Sequence, residues 1–131
     1  MHAFQSLLRF ILSLAFTLSF AAPAWAAGKP FDQAGFEAAQ AAGKPILVEI
    51  HADWCPTCRA QDPIISDLMR DPKNADFVVL RVDFDKQKDV VKRFRVQYQS
   101  TLIVFKGKKE VSRSTGETSK DAIVTQLAKS R

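Results

Sequence analysis

Cysteine is nearly absent: the chain of 131 residues holds two, Cys55 and Cys58. That scarcity excludes a domain stapled by many disulfides. It also argues against a closed metal or iron-sulfur site within one chain. Such a site takes about four ligands, and only Cys55, Cys58 and His51 fall near one another in sequence. A cluster shared between two chains is the form left open. Internal repeats, low-complexity stretches and Pro/Gly/Ser-rich linkers are missing as well, so no boundary divides the chain beyond its first residues. After Ala26 no apolar run approaches the ~20 residues of a membrane-spanning helix. Nor is positive charge concentrated. The formal charge is +5, but Lys86, Lys88, Lys92, Arg93, Arg95, Lys106, Lys108 and Lys109 are scattered over polar faces. A solvated surface results, and with no nucleic-acid motif present, no nucleic-acid partner is expected.

What is present begins with a leader. Residues 1–26 combine His2 and Arg9, an apolar stretch from Phe10 to Ala22, and the small-x-small end Ala24-Trp25-Ala26. This is the pattern of a secretory signal peptide, with an apolar part short for a membrane anchor. No cysteine stands near the expected cut to mark a lipoprotein. The expectation is an exported protein, periplasmic in a Gram-negative source, whose residues 27–131 form one domain.

Within that domain the apolar pattern alternates between helix and strand periods. Phe31 to Ala42 reads as a helix with Asp32 as cap and Gly43 and Pro45 as stop signals. Ile46 to Ala52 is a β-branched apolar run interrupted only by Glu49 and His51, the signature of a strand covered on both faces. Cys58 to Arg70 reads as a helix kinked at Pro63. Phe77 to Val82 is a second apolar strand, and Asp85 to Arg95 a charged helix with Val90, Val91 and Phe94 inward. Thr101 to Phe105 and Glu110 to Ser114 flank the turn Lys106-Gly107-Lys108 as a hairpin. Thr118 to Ser130, capped at Ser119, closes the chain. The expected fold class is α/β, a three-layer sandwich with a mixed central sheet and helices on both faces.

The two cysteines lie in Trp54-Cys55-Pro56-Thr57-Cys58, at the junction between the first apolar strand and a helix. A Cys-x-x-Cys at a helix start puts both sulfurs within one turn, able to close a small disulfide ring and reopen it. Orphan N–H groups and the macrodipole at the helix N-terminus favour a thiolate on the first cysteine. Pro56 suits the first helical position, where its missing N–H has no partner to lose. A purely structural bridge is the competing reading, but closing so small a loop constrains the unfolded chain little.

These residues, with Ala52-Asp53 ahead of them, Pro63 five positions after the second cysteine, Leu102-Ile103-Val104-Phe105-Lys106-Gly107 and Gly116, resemble the thioredoxin-like family over nearly all of Phe31 to Arg131. The Lys44-Pro45-Ile46-Leu47-Val48 stretch and Ala52-Asp53-Trp54-Cys55 are similar to exported members and to the C-terminal domain of the membrane thiol-disulfide interchange proteins. The resemblance implies that Cys55 is the attacking nucleophile and Cys58 the resolving thiol. Glu49 matches the buried carboxylate that moves a proton to and from the resolving cysteine. An ion pair with Arg81 is the competing role for Glu49. Burial alone would raise the pKa of Glu49. Trp54 would flank an exposed Cys55 sulfur and, with Pro56 and Thr57, shape the surface around it, and His51 stands where a tryptophan is common.

One position departs from the family. The loop that borders the cysteines, Gln99, Ser100 and Thr101, is implied to offer backbone groups to a substrate, and family members carry a cis-proline where Ser100 stands. A cis bond before a non-proline residue costs ~3–4 kcal/mol, so a trans Gln99-Ser100 bond is expected.

The function that follows is an exported protein thiol-disulfide oxidoreductase, read as a disulfide reductase. Pro56-Thr57 lacks the cation that would stabilise a strongly oxidising pair. Its implied partners are exported proteins with disulfides and a membrane-embedded thiol-disulfide electron donor. Its redox group is the Cys55-Cys58 disulfide, without metal or other cofactor, and a monomer is the expected state. An oxidase or isomerase, and a binding module without turnover, are the alternatives.

Overall fold

The computed structural model describes residues 28–131, so the expected leader lies outside the described residues. In chain order the elements are β1 (Lys29–Pro30), α1 (Gln33–Ala41), β2 (Pro45–His51), α2 (Pro56–Arg70), a 3-10 turn (Pro72–Asn74), β3 (Val78–Asp83), α3 (Lys88–Arg93), β4 (Thr101–Lys106), β5 (Lys109–Thr115) and α4 (Lys120–Ala128). The sheet runs β1-β3-β2-β4-β5, parallel on the β1-β3-β2 side and antiparallel through β4 and β5.

Strand alternation explains the layers. Ile46, Val48 and Ile50 of β2 face a cluster with Phe36 and Ala39 of α1, Val90 and Val91 of α3, and Leu80, Val82, Ile103 and Phe105. Leu47 of the same strand faces the other way, among Ile65 and Leu68 of α2, Leu102 and Val104 of β4, and Ile123 and Leu127 of α4. Every residue of β2 is buried, as a central strand with both faces covered requires. The first cluster is tied by aromatic edges. Phe36 meets Phe94 and Phe105 with ring centroids 5.4 and 5.3 Å away, both near perpendicular. Such pairs add about 0.5–1.5 kcal/mol each beyond area burial.

Local chemistry sets the boundaries. Asp32 caps α1 by accepting the Gly35 N–H at 2.6 Å, and Ser119 caps α4 through Ala122. Helix α2 begins at Pro56, the residue expected at the first helical position, two residues ahead of the run read from Cys58, and it continues past Pro63. Proline there withdraws one helical N–H, while packing of Ile65 and Leu68 on the sheet holds the helix together. Helix α3 is shorter than Asp85 to Arg95. The Asp83 carboxylate captures the N–H groups of Asp85 and Lys86 in a turn at 3.0 and 2.9 Å, and Arg95 leaves the helix with φ 53°. β1 carries no sequence pattern, because two residues show no period. It is seated by its neighbours, with Phe31 N–H donating to the Arg81 carbonyl at 2.8 Å. Among the described residues no helix is long and apolar enough to cross a membrane.

Candidate active site

The end of β2 delivers Ala52 and Asp53 to a turn, and Cys55 closes it as the N-cap of α2 with extended backbone. In that position its Sγ is drawn inward and accepts the Cys58 N–H at 3.1 Å. Both residues are free thiols. Both are also covered, each 1% exposed, packed with Ala52 and half-buried Phe84. This corrects the expectation of an exposed sulfur beside Trp54, since the capping geometry tucks Cys55 under the turn. Trp54 itself is 55% exposed and is fixed by its indole N–H, which donates to Asp85 Oδ2 at 2.7 Å. Pro56 is exposed and Thr57 half-buried at the helix start.

The two thiols are not equivalent. Burial pushes the Cys58 thiol up to about 11, helped by its hydrogen bond with Cys55 and opposed by backbone groups of Ala52 and Ser100. Cys58 is therefore a neutral thiol at physiological pH, with Sγ 4.0 Å from the Ile50 carbonyl oxygen.

Glu49 lies on β2 opposite Arg81 of β3 and Leu102 of β4, on the face that α2 covers. It is 3% exposed. Its Oε2 accepts the Gly28 N–H at 3.0 Å and Arg81 Nε at 3.3 Å. Its Oε1 is the one buried side-chain polar atom without a partner among the described residues. Burial raises the Glu49 pKa, and the Arg81 charge and the Gly28 hydrogen bond hold that rise in check. The ion pair with Arg81 thus exists beside the free oxygen. Arg81 also donates from Nη2 to Asp62 Oδ1 at 2.5 Å, and Asp62 Oδ2 stands 3.3 Å from His51 Nε2. A chain of charged groups runs from the buried Glu49 to Asp62, whose side chain is 32% exposed.

The loop before β4 borders the same sulfur. No peptide bond is cis among the described residues, so Gln99-Ser100 is trans, and Ser100 takes a left-handed φ of 58°. That conformation costs an L-residue about 1–2 kcal/mol. Ser100 is buried and its backbone is spoken for. Its N–H donates to Ile50 O at 2.8 Å, and its carbonyl accepts from Gly116 N at 2.9 Å and Gln61 Nε2 at 3.1 Å. Gly116 can supply that N–H because, at φ 74°, it sits in the region open to glycine. Thr101 is buried too, its hydroxyl bonded to Tyr98 O at 2.8 Å and Thr115 Oγ1 at 2.9 Å. Half-buried Gln99 and exposed Tyr98 form the outer edge of the loop.

Gln61 and Asp62 are the residues the sequence reading passed over. They follow Cys58 by three and four positions, which puts them on its face of α2, and that spacing was the available signal. Among the described residues no group of three or more His, Cys, Asp or Glu side chains is placed to hold a metal ion.

Two thiols one helical turn apart, one capping the helix and the other buried as a neutral acid, trade electrons with other disulfides. The chain is a thiol-disulfide oxidoreductase. It belongs to the thioredoxin family, whose model, described as Thioredoxin, matches residues 29–129. A thioredoxin H-type from Brassica campestris is 34% identical over 93 residues, spanning 71% of this chain and 73% of the relative. Among solved structures, Trxlp from Edwardsiella tarda EIB202 is 45% identical with a TM-score of 0.73, covering 75% of this chain and 95% of that one. Thioredoxin NaTrxh from Nicotiana alata is 31% identical with a TM-score of 0.68, covering 76% of this chain and 84% of its own.

Proposed function

We propose that the chain is an exported disulfide reductase that acts on other exported proteins and is recharged by a membrane-embedded dithiol donor. The single observation that carries the chemistry is the asymmetry of the pair: Cys55 Sγ accepts an N–H at the helix start, while Cys58 is held as a buried thiol. Export is supported by the leader pattern of residues 1–26, and the reducing direction by Pro56-Thr57, which puts no cation beside Cys55.

The Cys55 thiolate attacks one sulfur of a substrate disulfide, forming a mixed disulfide and releasing the other substrate sulfur as a thiolate, which takes a proton. Cys58 then loses its proton and attacks Cys55 Sγ. The Cys55-Cys58 disulfide forms and the second substrate thiolate leaves, so the substrate gains two electrons and the pair loses two. A dithiol donor reverses the change in the protein. Glu49 is the proposed acceptor of the Cys58 proton, because it is buried on the α2 face of β2 with one oxygen free and a raised affinity for protons.

Insulin reduction with a chemical dithiol tests the activity, and fractionation of the expressing cell with a mass measurement tests export. Turnover by a secreted chain starting near Ala27 supports the reading. A full-length cytoplasmic chain removes export from it, and absence of turnover removes the reductase.

A further inference from the structure

Gln61 is out of place by ordinary packing rules. Its neighbours along the inner side of α2, Ile65 and Leu68, are apolar and pack on the sheet, whereas Gln61 is an amide only 3% exposed. A buried amide is tolerated only where its donors are used, and an apolar side chain of similar volume would fill the same space without that requirement. Here both donors are used on backbone. Nε2 donates to Ser100 O at 3.1 Å and to Glu117 O at 2.9 Å, two carbonyls from segments 39 and 56 residues away in sequence.

The place it holds is the one that matters for the sulfurs. The Ser100 backbone faces Cys58, and Ser100 occupies a left-handed conformation that is uncommon for a residue with a side chain. Gln61 stands one turn after Cys58 on the same helix. A single side chain therefore ties the helix of the resolving sulfur to the loop whose outer edge is Gln99 and Tyr98, alongside the Ser100 N–H bond to Ile50 O. Without it, Ser100 O keeps the Gly116 N–H, but the link from the loop to the cysteine helix is lost.

We propose that Gln61 is a positioning residue for the reduction of protein disulfides: through Ser100 it fixes the loop beside Cys58 at the height where an extended substrate segment docks, and so governs how well protein substrates are held rather than how the sulfurs react. The proposal rests on the reductase reading above. It separates two kinds of substrate. A protein disulfide brings a flanking chain that needs the loop, while a small aromatic disulfide needs only Cys55 and Cys58.

The test compares wild type with Gln61→Leu in steady-state reduction of insulin and of a small aromatic disulfide, with the carboxymethylation rate of Cys55 as a control on the sulfur. The expected result is a rise in KM for insulin of about three- to tenfold, the worth of the hydrogen bond to Ser100 O, the one of the two lost that holds the docking loop. The insulin kcat, the small-disulfide rate and the carboxymethylation rate are expected to hold at wild-type values. Gln61→Asn, which keeps a buried amide too short to reach both carbonyls, carries the same comparison should the leucine variant not fold. An unchanged insulin KM overturns the proposal, and so does an equal fall with both substrates, which would place Gln61 in general support of the fold. If wild type itself does not turn over insulin, the reductase reading fails and takes this proposal with it. An active wild type with an indistinguishable variant removes the proposal alone.

Discussion

Arg81 holds Glu49 by one oxygen only: its Nε donates to Oε2 at 3.3 Å, and Oε1 is left buried without a partner. A carboxylate satisfied on one side and bare on the other is costly to keep charged and ready to bind a proton.

The first consequence is a pH dependence of stability. Because burial raises the folded-state pKa of Glu49 above its ordinary 4.5, its contribution is fully present below that value and is lost as pH rises through the folded pKa. Glu49→Gln cannot ionise, so its stability relative to wild type is expected to improve as pH rises through that window and to level off above it. Thermal melts of both proteins across the acid-to-neutral range read this directly. The same variant is expected to slow insulin reduction on the order of a hundredfold at neutral pH, the low end of general acid-base catalysis. A variant as fast as wild type would leave Glu49 a structural partner of Arg81.

Arg81 joins Glu49 to Asp62, so Arg81→Met leaves both carboxylates without their cation. A loss of about 3 kcal/mol at neutral pH is expected in urea denaturation, at the low end for a broken buried pair because the guanidinium is partly exposed. The loss should shrink in acid, where a protonated Glu49 no longer needs a counter-charge.

Cys58 supplies an alkaline counterpart. Its thiol is pushed from the ordinary 9.0 up to about 11, so its contribution to the reduced protein is intact below 9.0 and is lost as pH rises through about 11. Melting temperatures of the reduced form are expected to fall across that interval by more than those of the oxidised form, which has no thiol to ionise. Parallel curves would contradict the buried assignment.

How far the sequence alone reached depends on whether a feature is local. β2 announced itself through an unbroken apolar run, and the caps Asp32 and Ser119 and the helix-starting Pro56 follow from side-chain chemistry within a turn. Glu49 stood out as a carboxylate inside an apolar strand. Asp62 and Gln61 did not, since a polar residue on a helix reads as solvent-facing until the sheet it packs against is in place. The shortened α3 turned on Asp83 choosing two nearby N–H groups over the strand's end, a competition that periodicity does not register. Burial of Cys55 was illegible for a similar reason. A helix-terminal cysteine looks exposed in sequence, and only the cap bond to Cys58 N–H turns it inward.

Unequal thiols imply unequal variants. Cys55→Ser is expected to abolish reduction of insulin, whereas Cys58→Ser is expected to attack once and stop, accumulating a mixed disulfide through Cys55. Non-reducing gels followed by mass spectrometry distinguish the two. Trapping by the Cys55 variant instead would reverse the assigned roles.

The central claim, a pair poised to reduce other disulfides, is tested most directly by equilibrating the Cys55-Cys58 couple with glutathione buffers and measuring its reduction potential. A value near the thioredoxin end of the range, about −270 mV, is the predicted result. A value near the strongly oxidising end, about −120 mV, would contradict it and make the chain a donor of disulfides.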